Sequence, residues 1–143
     1  MSLRHLSLLV VFLGFFPWTA ARADLVVVVN ARSNVDALTR DQVTNIFLGR
    51  YRLLPSGMTA MPIDQPAGQT EKARFYRLLV NKDLTEIDAY WARLVFSGKT
   101  PPPRQADTPK AVVQWLAHER GAIGYMERAQ ADSRFNIVFS LEP

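Results

Sequence analysis

LTRDQVTNIFLGR, residues Leu38–Arg50, reads as one short amphipathic helix with both ends marked. Thr39 stands where a helix is capped, and Gln42 three residues on completes a capping box. Val43, Ile46 and Phe47 recur at helical spacing and define one apolar face. Gly49 stands where a left-handed residue ends a helix. A second fragment, RGAIGYM (Arg120–Met126), lies near the other end of the same chain. A capped helix early and a glycine-bracketed apolar run late frame the elements around them.

Ahead of the helix, Leu25–Val29 is an unbroken, valine-rich apolar run. Such a run predicts a strand covered on both faces, hence a sheet with helices on it. Asn30–Val35 is a polar loop, and the helix itself spans roughly Arg40–Leu48. Pro55 and Gly57 mark a turn over Leu53–Met58. Thr59–Ile63 is a second strand, weakened by Pro62, and Asp64–Gln69 a second loop. Thr70–Val80 reads as helix with Tyr76, Leu79 and Val80 inward. In Thr85–Phe96 the residues Ile87, Tyr90, Trp91, Leu94 and Val95 keep helical spacing without a gap. Gly98 ends that helix, and three prolines make Thr100–Arg104 an extended connection. Thr108 caps a further helix with Pro109 in its first turn. Val112, Trp115 and Leu116 face inward, and Gly121 is expected to close it. Ala122–Met126 and Asn136–Phe139 are the last strands. This order of strand, helix, strand, helices, strand and strand points to a three-layer α/β domain.

The first 23 residues read differently. Arg4 and His5 precede an apolar run, Leu6–Phe16, of 11 residues. Crossing a bilayer takes roughly 20. Ala21 and Ala23 place small residues where a signal peptidase reads, so a secretory signal peptide cleaved before Asp24 is expected. Residues 1–23 are then the signal and residues 24–143 a single domain in the periplasm, without stable membrane insertion. Removing 23 of the 143 residues leaves 120, and losing Arg4 and Arg22 lowers the net charge from +4 to +2. Scattered charges of both signs argue against a nucleic-acid partner. With no cysteine in the chain, neither disulfides nor a lipid-anchored cysteine can hold it.

IFLGR after a capped helix, PID before a loop and helix, YWARLVFSGKTPPPR, and a helix running into GAIGYM together resemble the phosphate ABC transporter substrate-binding proteins. These have the type II periplasmic binding fold, and the likeness is to short, single-lobed members. It spans Leu25 to about Met126. The resemblance implies a three-layer single lobe whose mixed sheet has four or five strands flanked by helices. It implies a non-enzymatic solute-binding protein without cofactor or metal, taking a small oxyanion such as phosphate. An ABC permease or another envelope protein would be the partner. Phosphate-binding members use a glycine- and hydroxyl-rich turn that opens a helix, where free amides and the helix dipole favour an anion. The corresponding stretch here is Gln65–Glu71, in which Gly68 and Thr70 supply that chemistry and Gln69 an amide donor. Asp64 and Gln65 stand where an arginine would reach the anion, and Glu71 falls in the first helical turn. A clamshell also closes two lobes on its ligand, and this chain has one lobe's worth of residues. These departures motivate a second reading: an accessory protein-interaction or sensor domain of the same fold that has lost solute binding.

Open α/β sheets bind ligands beyond the C-terminal ends of their strands. That expectation gathers Asn30, Arg32, Ser33 and Asn34 with Gly68, Gln69, Thr70 and Arg74 in one crevice. Tyr125 is expected to pack its ring and reach the rim with its hydroxyl. Asn, Ser and Thr are also the ordinary formers of turns and caps. Tyr90, Trp91 and Trp115 belong to the core by their spacing. Lys72, Arg74, Arg77 and Lys82 form a solvated basic side of one helix. Catalytic residues are not expected. His118, the one histidine after cleavage, falls on a water-facing flank, and no G-x-S-x-G elbow accompanies it. Asp83 and Asp88 have ordinary helix-capping explanations. Neither a P-loop nor a dinucleotide fingerprint occurs.

Overall fold

Every residue of β1 (Leu25–Asn30) is buried, as its apolar run demands. The strand alternates between two cores. Leu25, Val27 and Val29 face one, and Val26 and Val28 the other. Burying each such side chain stabilises by about 1.5–3 kcal/mol, so both faces of the strand must be covered. The computed structural model describes residues 24–142 and, ahead of them, Gly14. The expected signal peptide therefore lies outside the described residues.

The remaining elements are α1 (Arg40–Phe47), β2 (Met61–Asp64), α2 (Thr70–Val80), α3 (Leu84–Phe96), β3 (Arg104–Gln105), α4 (Pro109–His118), β4 (Ala122–Glu127) and β5 (Phe135–Ser140). They form a five-stranded mixed sheet in the order β3-β2-β4-β1-β5. β2 runs parallel to β3 and β4, whereas β1 is antiparallel to both β4 and β5. α1, α2 and α3 cover one face through residues such as Phe47, Phe75 and Trp91. α4 covers the other through Val112 and Leu116. The architecture is the expected three-layer α/β lobe.

The two sequence fragments prove to be packing devices. In α1 the capping box forms, with Thr39 Oγ1 accepting from Gln42 N at 3.1 Å and Gln42 Oε1 from Thr39 N at 2.8 Å. Gly49 takes φ 74°, and a side chain there would run into Trp91 and Thr100. Gly121 departs from its expected role. α4 ends at His118 with Glu119 extended at its C-cap. Gly121 is small because its Cα lies against the Thr59 carbonyl, where any Cβ would collide.

Other boundaries move for local reasons. β2 runs to Asp64 because Gln105 of the proline-rich connection pairs beside it, turning Arg104–Gln105 into an edge strand. Thr59 forms only a bridge with Leu53. α3 buries Ile87 and Trp91 as expected, but Val95 is 53% exposed. Periodicity identifies an apolar face without saying how far the covering layer extends.

Candidate functional site

Because β1 opposes β2 and β4, the C-terminal ends of the strands do not lie together. β1 ends beside the start of β4, where Val29 pairs with Ile123, whereas β2 begins there, with Met61 opposite Ala122, and runs on until Gln65 bonds to Tyr125. Asn30 and Ser33 thus stand at one end of the sheet, and Gly68, Gln69 and Thr70 at the other. The expectation of one crevice holding all of them is corrected by strand direction, which local sequence does not encode.

At the first end the polar residues satisfy backbone. Asn30 Nδ2 donates to the Leu116 and Ala117 carbonyls at 2.8 and 3.1 Å, while Asn30 Oδ1 accepts from Arg32 N at 2.8 Å. The side chain ties the end of β1 to the last turn of α4, whose carbonyls lack helical partners. Ser33 is fully buried, and its hydroxyl accepts from Val35 N at 3.3 Å. Asn34 takes the left-handed conformation that ends the short 3-10 turn.

At the other end, Gly68, Gln69 and Thr70 are exposed on the loop that opens α2. Gln69 occupies the N-cap without capping through its side chain. The amides of the first helical turn lack intrahelical acceptors and carry the positive end of the dipole. Arg74, one turn further, is paired with Glu142.

Beneath that loop lies a buried polar cluster built by four elements. β2 delivers Asp64, and the parallel register sets Tyr125 of β4 beside it. Tyr76 and Lys72, four apart on α2, project toward the same carboxylate. Tyr76 Oη donates to the Asp64 oxygens at 2.9 and 3.0 Å, and Tyr125 Oη donates to Oδ1 at 3.0 Å. Tyr125 Oη in turn accepts from Gln65 N at 3.1 Å. Lys72 Nζ lies 3.9 Å from Asp64 Oδ2 and donates to Gln105 Oε1 at 2.7 Å. The Gln105 amide closes the circuit by donating to the Gln65 carbonyl. The Tyr125 ring stacks on Phe75 with centroids 3.8 Å apart.

Burial raises the Asp64 pKa above its ordinary value. Lys72 and the two tyrosine hydroxyls pull it back, without cancelling the effect. Burial, followed by the neighbouring carboxylate, drives both tyrosines well above their ordinary range, so both stay protonated and donate. This cluster corrects two expectations. Tyr125 is wholly buried and its hydroxyl ends on Asp64 rather than at a rim. Lys72 faces inward, with a side chain only 11% exposed. The sequence places Asp64 at the start of a loop, where an arginine would reach an anion; its tyrosine partners lie 12 and 61 residues away, beyond the reach of local pattern.

A groove of about 380 Å³ borders the cluster, lined by Asp64, Lys72, Asp88, Trp91 and Gln105 among others. The Trp91 indole N–H is buried without a hydrogen-bond partner among the described residues. His118 is exposed on α4, away from the cluster. Among the described residues no group of His, Cys, Asp and Glu could hold a metal ion. No helix among them is long and apolar enough to cross a membrane.

The fold has clear structural relatives. An ABC-type phosphate transport receptor from Vibrio cholerae superposes with a TM-score of 0.63 at 15% identity, over 80% of this chain and 45% of that one. A protein from Clostridium perfringens, assigned as a phosphate ABC transporter substrate-binding protein and holding phosphate, gives 0.61 at 15% identity, over 80% and 44%. A candidate phosphate-binding protein from Planctomyces limnophilus gives 0.55 at 15% identity, over 80% and 40%. The chain thus spans under half the length of each. No family model matches the sequence, and no curated protein matches it either. At this identity the likeness establishes the fold, a lobe of the periplasmic binding-protein type.

Proposed function

We propose that this chain is an exported, non-enzymatic solute-binding protein of the phosphate ABC transporter type. Its ligand seat is the exposed loop at Gly68, Gln69 and Thr70, where α2 begins. The carrying observation is the coincidence of this fold with a free helix start at the C-terminal ends of the parallel strands β2 and β4. Such a position offers backbone amides and the dipole's positive end to an anion, and Thr70 and Gln69 add side-chain donors. Phosphate is the first ligand to try. Calorimetry of residues 24–143 with phosphate, sulfate and small carboxylates tests the reading. Binding that weakens on Thr70→Ala supports the seat, whereas silence across the panel rejects solute binding. Arg74→Ala separates a direct role from its pairing with Glu142: weakened binding would bring that guanidinium into the seat.

One observation favours the second reading, an interaction or sensor domain that keeps the fold without a solute. The cations nearest the seat are engaged elsewhere, Lys72 by Gln105 and Asp64 and Arg74 by Glu142. Silence in calorimetry, together with a specific envelope partner retained by purified protein, would establish it.

A further inference from the structure

The largest exposed apolar side chains of the described residues are not scattered. Four of the five, Tyr51, Leu53, Val95 and Phe96, come from two segments that meet; only Ile137 lies elsewhere. The segment after α1 and the end of α3 are joined where the Arg52 guanidinium donates to the Lys99 carbonyl at 3.0 Å and to Thr100 Oγ1 at 3.3 Å. Shallow hollows at this seam are lined from both sides, by Tyr51 and Arg52 and by Val95 and Thr100–Pro102.

The two segments themselves carry cations only. Residues 49–63 and 89–106 contain Arg50, Arg52, Arg93, Lys99 and Arg104, and not one Asp or Glu. Arg104 stacks on Trp115 at 3.7 Å and turns toward α4. Arg50, Arg52, Arg93 and Lys99 are exposed; Arg50 also donates to Asn45 Oδ1 at 3.2 Å, and Arg52 is held at the seam. The adjoining groove beside Trp91 shares Val95 and Pro102 with this face and holds Asp64, which is paired with Lys72, and Asp88.

We infer that this face is a peripheral docking surface for an anionic lipid bilayer, with Phe96 as the inserting anchor and the four cations as its headgroup contacts. Phe96 is 96% exposed at the end of α3, so its ring touches almost nothing of its own chain. Burying that ring takes a surface that surrounds it. A bilayer interface does so without a matching cleft, and it accepts Tyr51 at headgroup depth. Cations on long, flexible side chains suit a fluid anionic surface, where each contributes about 1 kcal/mol. The binding is reversible adsorption rather than insertion. It uses a different face from the α2 seat and stands whether or not a solute binds there.

The test is co-sedimentation of residues 24–143, which carry the whole sheet and both cores, with two vesicle preparations. One is pure phosphatidylcholine; the other contains phosphatidylglycerol as well. The expected result is binding to the anionic vesicles alone, lost near about 1 M salt, where the Debye length falls to about 3 Å. Phe96→Ser should weaken binding roughly ten- to a hundredfold, as expected for one withdrawn aromatic side chain. Lys99→Glu and Arg93→Glu should each weaken it at least about fivefold. These positions are exposed, so an unchanged circular dichroism spectrum confirms that the fold is intact. Equal binding to both vesicles, or anionic binding that Phe96→Ser leaves untouched, overturns the inference. Failure to sediment also overturns it, and leaves an acidic protein surface as the occupant.

Discussion

Removing one oxygen, by Tyr125→Phe, should destabilise the protein by an amount that grows with pH. The ring can stay stacked on Phe75, so little packing is lost. Two hydrogen bonds go: the donation to Asp64 and the acceptance from Gln65 N. Leaving the buried Gln65 N–H unpartnered costs about 1–3 kcal/mol at any pH. The bond to Asp64 is worth about 1 kcal/mol when the acid is neutral and about 1.5–3 kcal/mol when it is charged. The expected destabilisation is thus about 2–4 kcal/mol in acid and about 2.5–6 kcal/mol at neutral pH.

The direction follows from linkage. The folded pKa of Asp64 lies above its unfolded value of 3.8. Its contribution is therefore full below about 3.8 and is lost as pH rises through the folded pKa. The Tyr125 hydroxyl is one of the groups holding that pKa down, so its removal steepens the loss. Urea unfolding followed by circular dichroism, at acidic and neutral pH, measures both values. In an Asp64→Asn background the pH dependence of the effect should disappear, as a double-mutant cycle would reveal. Equal destabilisation at both pH values in the Asp64 protein would refute the proposed charge coupling.

Gly121→Val should lower stability by about 1–3 kcal/mol or more, because its side chain runs into the Thr59 carbonyl and forces β2 from β4. A melting temperature within a degree of the parent would show that the contact can relax. Asn30→Ala should cost about 1–3 kcal/mol through its lost bonds to α4 and Arg32 N. It should leave any affinity at the α2 seat unchanged, and a weakened ligand titration would contradict the separation of the two ends.

Much of the fold was legible where the signal is local. Thr39 and Gln42, the valine run of β1 and the Thr108–Pro109 start of α4 each identify an element from a few neighbouring residues, and each occurs as read. What failed was non-local. Sequence periodicity could not say that β1 runs against β2, so Asn30 and Ser33 were grouped with a loop at the far end of the sheet. Gly121 looked like a helix terminator because the Thr59 carbonyl it accommodates is 62 positions away. The Asp64 cluster needed two tyrosines that only the sheet register and the α2 face bring together.

The strand order bears on biosynthesis. Among the described residues β1 is the first strand to be translated, yet both of its neighbours, β4 and β5, are the last two. Ribosome-bound intermediates that end before residue 122 cannot give Leu25–Asn30 a single native ladder partner. Long-range pairing of this kind slows folding, so β1 stays without its ladder until residues 122–140 have emerged. Removing residues 136–143 would take all of β5 but Phe135 and leave one side of β1 bare.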